Sequence, residues 1–220
     1  PWEFSATRKD HHSNWPLPVR GHVRELHAGA RPRKAALIGD NVADFQLQNC
    51  NGDWVSLHDS CGKKAMWIMS TAEWCSACTA QLSGIASSFG GKISAENLPE
   101  GLGMWVVLTE NMNYGKPSTD LCFKYASQKN IDPSLLFMDW SDNKVLVELV
   151  APAGAQIETN TYATIWNAIN PYLFADSQGK VSSFTPWHVV MRGSNMEHIW
   201  SSFYNPEQDA LSHVNQLLAE

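Results

Sequence analysis

The sequence lacks any long apolar run. No segment approaches the roughly 18 consecutive apolar residues that a membrane-spanning helix requires, so we expect no membrane span. It also lacks internal repeats, and no charged-then-apolar leader opens it. Because it begins at Pro1, we expect a processed or cloned fragment, whose precursor leaves room for an export signal or a lipid anchor.

Basic charge is scarce outside one end of the chain. Residues 1–36 carry seven Lys and Arg against three Asp and Glu, whereas residues 37–220 carry nine against nineteen. The basic head has little apolar periodicity, so we predict a poorly ordered extension there and one folded domain over 37–220. The acidic body argues against a nucleic-acid-binding arm, and we expect no nucleic acid as a partner.

Strand and helix patterns alternate along residues 37–220. Short apolar runs bounded by polar residues are typical of buried strands, and they fit KAMWIMSTA, GMWVVLTEN and SLLFMDW. Helical spacing fits SACTAQLSGIASSFG, NPEQDALSHVNQLLAE and STDLCFKYASQKN, the last capped by Ser118 or Thr119. Period-2 alternation around a turn predicts hairpins at DFQLQNCNGDWVSLH and FTPWHVVMRGSNMEHIWSS.

This order predicts an α/β fold with a central mixed β-sheet, flanked by helices on both faces. An N-terminal β-hairpin opens the domain, and an insertion over residues 141–184 precedes the last hairpin. Within the insertion we predict a strand at KVLVELV, a loop at APAGAQIETN, a short helix at TYATIWNAIN, and a strand and turn at PYLFADSQGK.

Cys50 and Cys61 are flanked by turn residues and lie a short distance apart in the sequence. We predict a structural disulfide between them, which would indicate an oxidising compartment. The alternative is a pair of unrelated buried thiols. Cys122, inside a predicted helix, is expected to be a small core residue.

Cys75 and Cys78 stand where a buried strand gives way to a helix. The first turn of a helix presents free N–H groups and the positive end of its dipole, and both favour a thiolate. We therefore predict a redox pair in which Cys75 is the nucleophile and Cys78 the resolving thiol. The intervening Ser76 and Ala77 add no charge, which favours a mild reductant or an intermediate potential.

Other uses of this pair fit the sequence less well. A structural zinc site usually needs four ligands, and no second cysteine or histidine pair has suitable spacing, so no metal is expected. A purely structural disulfide over so short a loop would stabilise little.

AEWCSAC, with Trp74 directly before Cys75, resembles the active-site motif of the thioredoxin superfamily. The preceding DFQLQNCNGDWVSLHDSCGKKAMWIMS resembles the N-terminal hairpin of its redoxin branch, which includes TlpA- and ResA-like bacterial thiol–disulfide proteins. The resemblance implies a thioredoxin-like fold and thiol–disulfide oxidoreductase activity with no cofactor beyond the cysteine pair. It further implies protein thiols or disulfides and a redox partner as partners, and an extracytoplasmic location.

The resemblance also implies a cis-proline facing the cysteines, for which Pro186 is the match. In the family this proline keeps metals off the cysteine pair, and the backbone before it, here that of Thr185, binds an extended substrate. We expect Trp74 and Trp187 to flank the cysteines as an apolar substrate platform. His188 is expected to be a surface strand histidine.

Two positions depart from related patterns. Met69 stands where many thioredoxins have a buried, proton-accepting aspartate, and Glu73 nearby is expected to be exposed. A peroxiredoxin is an alternative, but Ala72 occupies the place of its threonine and Thr71 lies one residue off. The other alternative is a non-catalytic metal-binding or adaptor module, although copper-delivering relatives use a wider cysteine spacing.

Overall fold

The computed structural model describes residues 33–34, 36–139, 145–150, 156–161, 169, 174–175, 181–182, 185–202 and 207–220. These residues belong to one compact unit, Pro32–Glu220. The predicted extension over 1–36 lies almost entirely outside the described residues, so that boundary stays a prediction. Most of the predicted helix at TYATIWNAIN also lies outside them.

Strands and helices are numbered here in chain order. The strands are β1 (Arg33–Lys34), β2 (Gln46–Asn49), β3 (Trp54–Ser56), β4 (Ala65–Ala72), β5 (Leu102–Glu110), β6 (Leu136–Met138), β7 (Val145–Val150), β8 (Gln156–Thr161), β9 (Phe174–Ala175), β10 (Val181–Ser182), β11 (Trp187–Arg192) and β12 (Glu197–Ser202). The helices are α1 (Ser76–Ser88), α2 (Thr119–Lys129) and α3 (Glu207–Ala219), and Leu57–Ser60 forms a single 3-10 turn.

The central sheet is mixed and contains seven of these strands, in the order β12-β11-β4-β5-β6-β2-β3. Strands β4, β5 and β6 run parallel, and the remaining neighbours pair antiparallel. β4 lies inside the sheet between β5 and β11 and is buried at all eight positions. Its nearly unbroken apolar sequence is therefore the pattern of a strand covered on both faces.

The residues at the two ends of α2 explain where this helix begins and ends. The Ser118 hydroxyl accepts a hydrogen bond from the backbone N–H of Leu121, which is an ordinary N-cap. Asn130 ends the helix in the left-handed conformation, with φ of 54°, and asparagine tolerates this conformation better than most residues. Lys129 in the last turn complements the negative end of the helix dipole.

Part of the insertion differs from its prediction. The segment APAGAQIETN is predicted as a loop, but its second half belongs to β8, which pairs antiparallel with β7 through Val150 opposite Gln156. A strand with so few apolar residues gives a weak hydrophobic signal, and pairing with β7 decides its conformation. β7 itself lies where KVLVELV predicts a strand.

Two separate hydrophobic clusters lie on opposite faces of the sheet, because side chains alternate along a strand. On β4, Trp67 and Met69 face the cluster that includes residues of α1, α2 and α3. Met66 and Ile68 face a second cluster, which contains Phe45, Leu47, Leu57, Trp105, Phe137, Trp187 and Val189. The three described helices thus pack on one face of the sheet, whereas we expected helices on both faces. Residues outside these helices, in strands and connecting segments, form the described part of the second cluster.

A buried disulfide joins Cys50 to Cys122, with a Cα–Cα distance of 5.4 Å, and Cys61 is an exposed free thiol. The predicted Cys50–Cys61 bridge is therefore wrong, and Cys122 is not a free thiol. The cause is the sheet order. Cys50 directly follows β2, which pairs with β6, and its N–H donates to the carbonyl of Leu136. Cys122 Sγ lies 3.9 Å from that same carbonyl.

We predict that replacing both Cys50 and Cys122 by alanine lowers the free energy of unfolding by about 4 kcal/mol, because the bridge closes a loop between residues 72 positions apart. Urea titration of the air-oxidised proteins measures the change. Cys61→Ala is the matched control and should stay within about 0.5 kcal/mol of the parent. Equal losses in both proteins would contradict a stabilising role for the bridge.

Candidate active site

Cys75 is the N-cap of α1 and follows β4 after a two-residue turn. Its Sγ accepts a hydrogen bond from the backbone N–H of Cys78 at 3.0 Å, and the two cysteines form a disulfide. The first turn of α1 contains no acidic residue to oppose a thiolate. The cysteine pair thus lies at the strand-to-helix junction, as predicted. The free N–H groups of the first turn favour negative charge on Cys75.

The two cysteines differ in access to solvent. Cys75 is 4% exposed and Cys78 is fully buried. An attacking thiolate must reach its target from outside, whereas a resolving thiol needs only to reach its neighbour. Cys75 is therefore the sulfur at which exchange with another molecule can begin.

Thr185 contacts both sulfurs. Its carbonyl oxygen lies 3.6 Å from Cys75 Sγ, and its hydroxyl oxygen lies 3.5 Å from Cys78 Sγ. The Thr185 hydroxyl donates to the carbonyl of Ser70 at 3.1 Å, which fixes the side chain against β4. The Thr185–Pro186 peptide bond is cis, at the position to which the sequence pointed.

Trp74 forms an exposed aromatic shelf beside Cys75. Its indole N–H donates to a carboxylate oxygen of Glu110 at 2.8 Å, and its ring lies against Tyr114 with centroids 5.2 Å apart. Tyr114 is 66% exposed. We call Trp74 and Tyr114 the aromatic shelf. The sequence analysis missed Tyr114, although it lies just after a strand that runs parallel to β4 and ends beside it.

Trp187 does not belong to the site. Its side chain is 1% exposed and packs in the second cluster, with Trp105 and Phe137, on the face of the sheet away from the cysteines. It begins β11 opposite Ser70, and strand alternation directs its ring to that face. The expected pairing of Trp187 with Trp74 as a substrate platform is therefore wrong.

His188 is fully buried, so its prediction as a surface histidine is also wrong. Its Nδ1 accepts from the indole N–H of Trp67 at 3.1 Å, and its Nε2 lies 2.7 Å from the amide oxygen of Gln81. Because an indole N–H can only donate, the ring proton must sit on Nε2 and be donated to Gln81. Burial lowers the pKa of His188 to about 3, so the ring is neutral at physiological pH.

Neither Met69 nor Glu73 supplies the buried, proton-accepting carboxylate that many thioredoxins have near the cysteines. Met69 is fully buried in the helix-side cluster, opposite His188 in the strand register. Glu73 is partly exposed, accepts the backbone N–H of Met112 at 2.9 Å and lies 3.9 Å from the ammonium of Lys124. It therefore anchors the loop after β5.

The part of the chain that the structure describes has no group of three or more His, Cys, Asp or Glu side chains close enough together to hold a metal ion. In the same residues, no helix combines the length and apolar character that crossing a membrane demands.

We predict that acid destabilises this protein partly through His188. Its pKa is about 6.5 unfolded and about 3 folded, so its contribution is complete above pH 6.5 and is lost as the pH falls toward 3. His188→Leu should unfold more easily at pH 7, because Trp67 and Gln81 lose a partner, yet lose less stability between pH 7 and pH 4. Urea titrations at both pH values measure this, and parallel losses in the two proteins would contradict it.

The comparisons with known proteins agree on the fold. Residues 38–108 match the model of the AhpC/TSA family. A putative protein disulfide isomerase from Bacteroides thetaiotaomicron superposes with a TM-score of 0.53 at 15% identity, over 84% of this chain and 92% of its own. A hypothetical protein from Sinorhizobium meliloti superposes with a TM-score of 0.50 at 13% identity, over 84% of this chain and 86% of its own. No curated protein matches the chain in sequence.

A putative thiol:disulfide interchange protein, DsbE, from Chlorobium tepidum also superposes, with a TM-score of 0.47 at 16% identity, over 84% of this chain and 99% of its own. The superposition on the Bacteroides thetaiotaomicron protein confirms, at the level of the fold, the resemblance that we drew from AEWCSAC and its flanking segments. The chain has a thioredoxin-like fold, and its segment 38–108 is similar to the AhpC/TSA family.

Proposed function

We propose that this protein is a thiol–disulfide oxidoreductase that exchanges disulfides with protein substrates through Cys75 and Cys78. The observation that carries this proposal is the disulfide at the tip of α1, with Cys75 as its outer sulfur and the Thr185 carbonyl 3.6 Å from it. The site thus combines a nucleophile, Cys75, a resolving thiol, Cys78, and a backbone carbonyl, that of Thr185, which can accept a hydrogen bond from an extended substrate.

The reaction follows from the order of the two sulfurs. In the reduced protein the Cys75 thiolate attacks a substrate disulfide, so that a Cys75–substrate mixed disulfide forms and one substrate sulfur leaves as a thiolate, which takes up a proton. Cys78 then loses its proton and attacks Cys75 Sγ. The Cys75–Cys78 disulfide forms, and the second substrate sulfur leaves and is protonated. Two electrons pass to the substrate, and the reverse sequence oxidises a substrate dithiol.

Thr185 is placed to assist both steps. Its backbone carbonyl, beside Cys75 Sγ, can accept a hydrogen bond from the backbone N–H of an extended substrate. Its hydroxyl, 3.5 Å from Cys78 Sγ, can turn from the carbonyl of Ser70 and donate to the Cys78 thiolate as it forms. Pro186, which follows it in the chain, is assigned the family's role of excluding metals from the pair.

The aromatic shelf fits a protein substrate. Exposed aromatic rings held in a fixed geometry provide contact area at small entropic cost, and Trp74 is fixed by both Glu110 and Tyr114. The buried Cys50–Cys122 bridge favours an extracytoplasmic compartment, because structural disulfides are rare where glutathione and thioredoxin keep thiols reduced. The redox partner that restores the cysteine pair would act in that compartment.

Peroxide reduction is the second enzymatic candidate, and the AhpC/TSA match is the observation that favours it. A peroxidase of that kind needs a hydroxyl free to hold the peroxide near Cys75. The Thr71 hydroxyl is buried and hydrogen-bonded to the Tyr125 hydroxyl at 2.6 Å, and the next residue is Ala72. We therefore rank disulfide exchange above peroxidase activity, and rapid peroxide consumption with a thiol donor would reverse that order.

We predict that Cys75→Ser abolishes reduction of a protein disulfide, with at least about a hundredfold loss, because the nucleophile is gone. Cys78→Ser should still attack and then accumulate a mixed disulfide, since the resolving thiol is missing. Turbidity of insulin reduced by dithiothreitol, with thiol trapping and mass spectrometry, measures both outcomes.

Cys61→Ser is the matched control for these variants, because Cys61 is an exposed free thiol that does not belong to the pair. We expect it to retain the parent rate. Unaltered exchange in Cys75→Ser would refute the proposed function. Stoichiometric, tight metal uptake that requires both Cys75 and Cys78, with no exchange, would instead favour the non-catalytic binding module.

We also predict that Trp74→Ala slows exchange with a protein disulfide about tenfold, because aromatic anchors of this kind contribute about 1–2 kcal/mol to binding. Exchange with oxidised glutathione, which is too small to cover the shelf, should change less than about twofold. The control is Trp54→Ala, which removes an exposed tryptophan from β3 at the far edge of the sheet. Equal slowing with both substrates would show that Trp74 acts on the cysteines and not on docking.

A further inference from the structure

Lys129 reaches from α2 to the first turns of α1. Its ammonium donates to the hydroxyl oxygen of Thr79 at 2.9 Å and lies 5.5 Å from the ring centroid of Tyr125. The side chain is half-buried between these contacts. Tyr125 is itself fixed by its hydroxyl bond to Thr71, so the ammonium is held in a defined place.

Thr79 connects this ammonium to the nucleophile. It lies one helical turn after Cys75, and both its backbone N–H and its hydroxyl donate to the carbonyl of Cys75, at 3.3 and 3.4 Å. The ammonium of Lys129 is thus about two hydrogen-bond lengths from the backbone of Cys75.

Lys129 suits the C-terminal end of α2, but its ammonium also reaches the first turns of α1, and that placement is unfavourable for a cation. The N-terminus of α1 carries the positive end of the helix dipole, where cations are unfavourable and anions are stabilised. The first turn of α1 has no acidic side chain to offset the ammonium. The group that can become negative there is Cys75, once its disulfide with Cys78 is reduced.

We propose that Lys129 stabilises the Cys75 thiolate of the reduced protein and thereby sets the pH range in which Cys75 attacks a disulfide. The inference rests on the proposed function. In it, Lys129 supplies the positive charge that Ser76 and Ala77, between the two cysteines, do not. Lys129 is a positioning residue in this role, because it acts on Cys75 through the field at the helix tip and through Thr79.

Three other described charges near the helix tip, those of Glu73, Glu110 and Lys124, do not replace that of Lys129. Glu73 and Glu110 would oppose a thiolate, and they are engaged with Met112 and Trp74 respectively. Lys124 lies 3.9 Å from Glu73, which offsets its charge.

The titratable groups under the helix are neutral in the working range. Burial is the main cause that raises the pKa of Tyr125 to about 12. Burial lowers the pKa of His188 to about 3. Between these limits neither ring carries charge, so the pH dependence of Cys75 should reflect its own ionisation and the fixed charge of Lys129.

The test is the ionisation of Cys75 in the reduced protein, followed by thiolate absorbance at about 240 nm in a Cys61→Ser background, and by the rate of Cys75 alkylation against pH. Lys129→Met keeps the chain length and removes the charge. It should shift the Cys75 midpoint to higher pH and slow alkylation at pH 6 about three- to tenfold, with the difference vanishing once the thiol is fully ionised. Added salt should shrink the difference.

Two further variants separate charge from structure. Lys129→Arg retains the charge and should keep a midpoint near that of the parent. Lys92→Met removes an equal charge beyond the other end of α1 and should leave the midpoint unchanged. If Lys129→Met unfolds more easily but gives a superimposable ionisation curve, Lys129 is only structural and the proposal is overturned.

This readout does not depend on turnover. A shifted ionisation curve in a protein that fails to reduce any protein disulfide would refute the proposed function and leave the role of Lys129 standing. An unshifted curve in a protein that does reduce disulfides would refute the role of Lys129 alone.

Discussion

The junction between β4 and α1 is the constraint on which the rest of the site depends. β4 is buried at every position and hydrogen-bonded on both sides, so the place where it ends is fixed. The two strands that flank β4 bring Glu110 and Thr185 close to the cysteines. β5 runs parallel to β4 and ends with Glu110 opposite Ala72, which puts its carboxylate within hydrogen-bond distance of the indole N–H of Trp74. β11 runs antiparallel and begins there, which brings Thr185 to the sulfurs.

The alternation of side chains along β11 then decides which of its residues can influence the cysteines. Trp187 and His188 are adjacent, yet one lies in the cluster away from the helices and the other contacts α1 through Gln81. Polarity alone would have suggested the opposite assignment, with the histidine outside and the tryptophan over the site. The histidine is tolerated inside because Trp67 and Gln81 satisfy both ring nitrogens, and an uncharged, fully bonded ring costs little to bury.

Local sequence patterns were sufficient for the elements that carry the cysteines. The buried strand, the helix starting at Ser76 and the Ser118 cap all depend on residues close together in the chain, whereas the place of Thr185–Pro186 came from the family resemblance. Features that depend on distant pairing were not accessible in this way. Cys122 lies 72 residues from Cys50, and sequence separation alone favours the nearer Cys61. The contact between Lys129 and Thr79 likewise requires knowing how α2 packs against α1.

The three cysteines outside the structural bridge show why exposure is a poor guide to reactivity. Cys61 is exposed, but the hydration that it does lose on folding raises the pKa of its thiol, and the carboxylates of Asp44 and Asp59 raise it further. Its thiolate is therefore disfavoured. Cys75 is almost covered, yet the N–H groups and dipole of α1 favour its thiolate, and the proposed effect of Lys129 has the same sign.

Cys78 differs from both Cys61 and Cys75 in its surroundings. It is fully buried in an apolar cluster, and Thr185 provides its hydroxyl contact. Burial in apolar surroundings disfavours a thiolate, so Cys78 should keep its proton until Cys75 is engaged in a mixed disulfide. The difference between the two sulfurs therefore arises from where they lie on one turn of helix. It needs no carboxylate at the position of Met69, because the proton of Cys78 has to move only after the first exchange has taken place.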